Sequence, residues 1–454
     1  MIIYNEPITH LVSKQRIFLK ANRQILQLAV PNILSNLTVP LLSSVDTALV
    51  GHLSEVYYIG AVAVGSMIFN FVYWGFAFLR MGTTGLTAQA YGNQNQSEMF
   101  SILIRALIVA LVSSLLLLLL QFPIVKFSLF LVQASPDVEY HAKIYFNIRI
   151  FAAPATLSLY AIYGWFLGMQ NARYPLYIGL FVNLLNVLAS LFFVIGLGMN
   201  SNGVALGTVI AQYAGLLLSV FLFLKSYSYL NNQFNWQRIL HLEELKRFFK
   251  LNFDIFVRTL LLIFVFSFFT AKSAGINDDI LAANTILLQL WMLFSYGIDG
   301  FAFAAESLVG KYIGAKNEFD TKTIIKMIFY WGLGLGMIFT LIFLAFGKPI
   351  VSIYTNMEDV ISLAMSFFTW TIFAPIVNSI CYIWDGIYLG ATASKAMRNS
   401  TFIAAIIIFL PTYYLFIDLL GNNGLWLAMI LFMIARGLTL TFMAKKHIFN
   451  LLAD

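Results

Sequence analysis

The sequence predicts an all-α polytopic membrane protein with about twelve transmembrane helices. These form two six-helix lobes related by a parallel internal repeat. Three observations carry this expectation. The 454 residues are 60% hydrophobic and only 10% charged, whereas a soluble domain is about 25% charged. Apolar runs of bilayer-spanning length recur along the whole chain. The two halves also match each other in one register. Gly75 and Gly297, Leu86 and Leu308, Gly92 and Gly314, and Asn95 and Asn317 are each 222 positions apart. So are Phe151 and Phe373, Ala152 and Ala374, Gly164 and Gly386, and Gly168 and Gly390.

The expected spans are 24–53, 58–90, 100–122, 142–169, 174–198 and 203–226 in the first half. They are 248–275, 280–309, 324–346, 360–391, 400–418 and 424–443 in the second. Their apolar runs are continuous rather than alternating, which indicates helices and not barrel strands. Lys14, Arg16, Lys20 and Arg23 precede span one. Arg238, Lys246, Arg247 and Lys250 lie between the halves, and Lys311, Lys316 and Lys322 follow span eight. Lys395 and Arg398 follow span ten, and Lys445 and Lys446 end the chain. The opposite loops carry chiefly Lys126, Lys143 and Lys348. By the positive-inside rule both termini are cytoplasmic. Residues 1–23 and 447–454 are then cytoplasmic tails, 24–226 the N-lobe, 227–247 a cytoplasmic linker and 248–446 the C-lobe. LHLEELKRFFKLN (240–252) reads as an amphipathic helix at the inner interface. Six spans per half, both halves starting inside, make the repeats parallel about an axis along the membrane normal.

Composition also excludes function classes. The net charge of +7 is scattered over span ends, which suits anionic headgroups and not nucleic acid. One cysteine, Cys381, excludes an intramolecular disulfide and a cysteine metal site. The five His are scattered, with no metal-ligand spacing or nucleophile motif. No enzyme, metal or cofactor is therefore expected. No cleavable signal peptide is expected either, because residues 1–23 are polar and basic. A channel is disfavoured, since a repeat-built chain with one deep acid suits alternating access.

That acid is Asp46, the only charged residue between Arg23 and Glu55. A charge at membrane depth costs on the order of 2.5–3.5 kcal/mol on insertion scales and points to function. Span one runs outward and puts Asp46 roughly 12 Å below its outer end. In span five, Asn186 and Ser190 lie roughly 18 and 12 Å below the end near Gly198. Thr208 of span six is about 8 Å in, and Arg149 of span four roughly 10 Å. Asp46 with an amide and two hydroxyls makes a proton or monovalent-cation site. Helix packing explains Asn186, Ser190 and Thr208 equally well when each is taken alone. Arg149 is a candidate partner of Asp46. Pro31 and Pro40 each lack an N–H, so span one can bend there or hold a static kink. The C-terminal half instead holds Asp254, Arg258, Asp299, Glu306 and Asp385, toward the cytoplasmic side. They read as an ion-pair network or inner gate, with a second coupling site as the alternative. The repeat is thus asymmetric: Asp46 faces Phe268 in register, and Tyr163 faces Asp385.

PNILSNLTVPLLSSVDTALVGHL, FLRMGTTGLTAQAYG, GIDGFAFAAESLVG and DGIYLGATASKAMRNS resemble the DinF branch of the MATE family of multidrug and toxic-compound extrusion transporters. The resemblance covers nearly the whole chain. It implies a MATE-like pair of lobes and antiport of organic, often cationic, compounds against H⁺ or Na⁺. The family's first-helix Asp maps onto Asp46, its fifth-helix Asn-x-x-x-Asp onto Asn186 and Ser190, and its sixth-helix Thr onto Thr208. Many relatives carry Asp where this chain has Ser190, which puts a two-acid sodium site in doubt. The C-terminal set also stands at positions where related chains carry these residues. The leading expectation is an H⁺-coupled exporter of small organic molecules, with Asp46 as the coupling residue. It is expected to be a monomer of the inner membrane. Alternatives are Na⁺ coupling at the same site and a flippase for lipids or lipid-linked sugars. The 16% aromatic content suits a cavity for aromatic cations, and lipid-facing Phe explains it equally well.

Overall fold

A chain surrounded by hydrocarbon must close its backbone hydrogen bonds within each spanning segment. The computed structural model describes residues 6–51, 55 and 57–450, with side chains at 17–38, 49, 55 and 57–450. Every regular element among them is helical. In chain order these are α1 (Glu6–Gly51), α2 (Tyr57–Gly75), α3 (Phe78–Gly92), α4 (Gln96–Leu119), α5 (Gln121–Val132) and α6 (Pro136–Arg149). Next come α7 (Ala153–Gly168), α8 (Arg173–Leu191), α9 (Asn200–Tyr227), α10 (Trp236–Ile239), α11 (Leu242–Ala274) and α12 (Asp278–Gly314). The last are α13 (Glu318–Val351), α14 (Glu358–Gly390), α15 (Ser394–Phe402), α16 (Leu410–Leu420) and α17 (Asn422–Ala444). Eleven helical segments among the described residues are long and apolar enough to cross a membrane. With α1, which carries the first expected span, they make the expected set of about twelve.

Four local features differ from expectation. Helix α1 starts at Glu6, not near residue 24, and runs through Pro31 and Pro40. Pro7 stands in its first turn, where a missing N–H is harmless, and nothing after it breaks the helix before the apolar run. The stretch expected as a separate interfacial helix at 240–252 is, from Leu242, the first turns of α11. It contains no Gly or Pro, so helix propagates straight into the span. The second expected span breaks after Gly75 into α2 and α3. The fourth passes through a 3₁₀ turn at Ile150–Ala152, just before Pro154, between α6 and α7.

The chain divides into two compact units. The C-terminal unit comprises residues up to Ile33, Tyr91–Gln94 and everything from Phe253 on. The N-terminal unit comprises Leu34–Ala90 and Asn95–Asn252. The boundaries thus fall inside α1 and α11, and the expected 227–247 linker lies within the N-terminal unit. In the N-terminal unit α2 packs on α6, α4 on α7, and α8 and α6 on α9. Its core stacks Phe69 on Phe146 at 4.9 Å between centroids. In the C-terminal unit α14 contacts α12, α13 and α17. The first part of α1 lies on α12, with Ala29 and Ile33 over Gly300.

The repeat survives as shared backbone geometry. Gln96 and Glu318, Pro136 and Glu358, and Asn200 and Asn422 begin equivalent helices, each pair 222 positions apart. Asn95 Oδ1 accepts from the Glu98 N–H at 3.1 Å, and Asn317 Oδ1 from the Asp320 N–H at 3.0 Å. Left-handed residues recur at the same places: Gln94 (φ 57°) and Lys316 (φ 52°), Gln170 (φ 63°) and Thr392 (φ 54°). A Cβ on Gly164 would collide with the Arg80 carbonyl, and one on Gly386 with the Ala302 carbonyl. These positions are glycine because two helix backbones touch there.

Candidate functional site

In the N-terminal unit α8 and α9 pack closely enough that Asn186 Nδ2 donates to Thr208 Oγ1 at 2.9 Å. Thr208 in turn donates to the Val204 carbonyl at 3.0 Å. Ser190 lies one turn beyond Asn186 on α8, with no exposed surface. Gly207 permits the approach, because its missing Cβ would sit 2.7 Å from Ser190 Oγ. Asn186 is 2% exposed, yet its Oδ1 and the Ser190 Oγ have no hydrogen-bond partner among the described residues. Two buried oxygens there can accept a proton donor or face a small cation.

Thr208 opens onto a cavity of about 280 Å³. Ser35 and Thr38 of α1, Asn70 and Tyr73 of α2, Tyr160 and Tyr163 of α7, and Asn183 of α8 line it. Asn183 Nδ2 donates to Thr38 Oγ1 at 2.9 Å and ties α8 to α1. Arg149 is the cationic member of the lining. It donates to Tyr145 OH at 2.7 Å and Ser66 Oγ at 3.0 Å, with its guanidinium 4.9 Å from the Phe69 ring centre. The cavity thus brings together Arg149 and Thr208, with Asn186 and Ser190 behind Thr208. Pro31 is half-buried within α1. The side chains of Asp46 and Pro40 lie outside the described residues, and with them any Arg149–Asp46 pair.

The C-terminal residues form two separate centres. Asp385 on α14 accepts through Oδ2 from Arg258 of α11 and, at 2.5 Å, from Arg436 of α17. Asp254 is held by Arg398 at 2.5 Å and by Ser394 Oγ at 3.1 Å, not by Arg258. Glu306 is fully buried and Asp299 half-buried on α12. Sequence reasoning missed Arg436, although it is the only charged residue between Asp418 and Lys445. That is the same signal that singles out Asp46. It also missed Tyr73, Asn70 and Asn183, which a periodic apolar helix does not mark.

Comparison with known proteins agrees with this architecture. The MatE family model matches twice, over residues 31–192 and 255–415, one match in each half. DNA damage-inducible protein F of Escherichia coli is 36% identical over 94% of this chain and 93% of its own length. Multidrug and toxin extrusion protein 1 of Oryctolagus cuniculus is 26% identical over 94% of this chain and 75% of its own. A MATE crystal structure in a bent conformation shares the fold, with a TM-score of 0.86 at 17% identity, covering 97% of this chain and 99% of that one. With both halves matched and such identity along nearly its whole length, the chain belongs to the MatE family of membrane transporters.

Proposed function

We propose that this protein is a secondary antiporter that exports organic, cationic or amphiphilic compounds in exchange for H⁺ by alternating access, with Asp46 as the protonatable residue. The observation that carries the reading is the pair of unpartnered buried oxygens, Asn186 Oδ1 and Ser190 Oγ, behind a polar cavity. A protonated carboxyl is a donor that such acceptors can hold, and an ionised one is not. Position 46 supports the assignment. It is eight residues past Thr38 on α1, and Ser190 is seven past Asn183 on α8, the residue bonded to Thr38. Both helices run outward in the topology set by the basic loops, so the two positions share a level. Arg149 stands beside the cavity as a counter-charge for an ionised Asp46. Pro31 and Pro40 give α1 places to change shape when that charge is neutralised. The rabbit relative's name, an extrusion protein for multiple drugs and toxins, supports organic substrates. A location in the inner membrane with both termini cytoplasmic, and a monomeric state, complete the reading.

Na⁺ coupling is the second reading, because the same two oxygens can ligate sodium. A volume of about 280 Å³ is close to the lower end for small-molecule sites and favours a drug-sized group over a lipid. The test is efflux from proteoliposomes under separate ΔpH and sodium gradients, with native chain and Asp46→Asn. Export driven by ΔpH alone and lost in the variant supports the proposal. Native-like export by Asp46→Asn removes Asp46 from the mechanism.

A further inference from the structure

In the core of the C-terminal unit two guanidinium groups share one carboxylate oxygen. Arg258 and Arg436 both donate to Asp385 Oδ2. Arg258, Arg436 and Asp385 are 6%, 1% and 6% exposed. Within this three-residue cluster two positive charges meet one negative, and Asp299 and Glu306 on α12 are further acids of the same unit. An uncompensated buried charge is costly. The donors are also poorly met. Among the described residues Arg436 Nη1 reaches the Met433 sulfur, at 3.4 Å, a weak acceptor, and the guanidinium lies 5.3 Å from the Phe432 ring centre. Among the described residues the Nε–H groups of both arginines have no acceptor, and the second carboxylate oxygen, Asp385 Oδ1, has no donor. Asn378, seven residues before Asp385 on the same face of α14, has no exposed surface, and neither of its amide atoms is partnered among the described residues.

The repeat gives this place a meaning. Asn378, Tyr382 and Asp385 stand 222 positions after Thr156, Tyr160 and Tyr163, and those three line the cavity of the N-terminal unit. The same location in the fold is thus built twice. In the first copy the deep sequence position is an acid, Asp46, and in the second its register mate is Phe268. In the second copy two arginines enter from α11 and α17, and their register mates are Asn36 and Ala214.

We propose that Arg258 and Arg436 form a monovalent-anion site in the C-terminal unit, with Asp385 as a fixed counter-charge, and that the ligand is a halide or an organic carboxylate. One negative charge balances the centre, and a dianion overshoots it. The free Nε–H groups supply the donors that carboxylates take from arginine. A metal cation is repelled by both guanidinium groups. The site is independent of the coupling proposed at Asp46.

The test is thermal melting of the purified full chain in detergent, at constant sodium, pH and ionic strength. Chloride, bromide, acetate and benzoate are titrated against gluconate. A saturable rise of about 2–4 °C is expected, with chloride and benzoate distinguishing halide from carboxylate. In Arg436→Gln the rise should vanish while melting in gluconate stays at or above the native value, since a one-to-one Arg258–Asp385 pair remains. In Asp385→Asn the rise should grow, because the competing negative charge is gone. Chlorine-35 NMR on the native protein reads the same site without any variant, as line broadening that benzoate reverses. Absence of that broadening together with equal melting in all anions overturns the proposal. So does an anion effect that Arg436→Gln leaves unchanged.

Discussion

Replacing Gly207 by alanine tests whether the contact between α8 and α9 sets the geometry of the proposed ion site. A Cβ at this position would lie 2.7 Å from Ser190 Oγ, 2.9 Å from the Ser190 backbone N and 3.2 Å from its Cα. The hydroxyl can rotate away, but the backbone nitrogen cannot. An ordinary carbon contact begins near 3.4 Å, so the helices must separate by about 0.5 Å or more. The neighbouring Asn186–Thr208 bond, now 2.9 Å, then stretches past about 3.2 Å, where such bonds weaken. Overpacking of this kind costs about 1–3 kcal/mol. Alanine also returns up to about 1 kcal/mol of helix propensity. The net change in stability is therefore small, and melting is a weak readout. Transport is the sharp one. A site loosened by one buried hydrogen bond, about 1.4 kcal/mol, should lose about tenfold in the proposed proton-coupled efflux at unchanged expression. Gly334→Ala is the control, because no atom of the described residues outside its own helix backbone lies within 4 Å of its Cβ, and it should transport normally. Native-rate efflux by Gly207→Ala would refute the idea that this close approach matters.

Three further outcomes follow from the same geometry. Ser190→Asp restores the second acid of the two-acid pattern, and export should become sodium-dependent; unchanged ion dependence in a folded variant would count against a role for this position. Arg398→Ala strands the buried Asp254 carboxylate, which keeps Ser394 Oγ as its hydrogen-bond partner among the described residues. Breaking a fully buried pair costs about 3–5 kcal/mol, but the Arg398 side chain is 29% exposed, so about 1–3 kcal/mol is expected. Arg398→Lys should recover part of the lost melting temperature, and a native melting temperature in Arg398→Ala would rule out the pair as a stabilising element. Asn95→Ala and Asn317→Ala remove equivalent caps and should each cost about 0.5–2 kcal/mol, read by chemical denaturation; a large effect in one half and none in the other would show that the repeat no longer shares its energetics.

The span pattern was readable because hydrocarbon admits few alternatives to a continuous apolar helix. The repeat was readable because glycine contacts and asparagine caps constrain backbone, and backbone constraints persist when surfaces diverge. Helix starts outside the membrane were not readable. At Glu6 and Leu242 the apolar pattern has not begun, and only the lack of a breaker says that helix continues. Depth counting shows the same limit. It set Asn186 and Thr208 at different levels, roughly 18 and 8 Å from their span ends, yet they share a hydrogen bond. Helix α9 starts at Asn200, earlier than expected, which takes Thr208 deeper. The end of α8 winds into a wide π turn at Phe192–Gly196, so counting an α-helical rise overstates the depth of Asn186. Both corrections bring the two residues together.

A lone charge in an apolar run was the strongest single signal in this sequence, and it applied to Arg436 as much as to Asp46. Acids draw attention because they carry protons. A buried base looks like a partner for some acid and is easily assigned a supporting role. In the C-terminal unit Arg258 and Arg436 both donate to the same oxygen of Asp385, so Arg436 is more than a partner for an otherwise unpaired acid. Register comparison sharpens the point. Tyr163, a neutral residue lining a cavity, is the mate of Asp385, so the second copy carries an acid and two bases where the first carries none of the three. A purely structural ion pair needs one of each. Arg436 is the second cation on one carboxylate oxygen, and the residue where a change in anion dependence would be most informative.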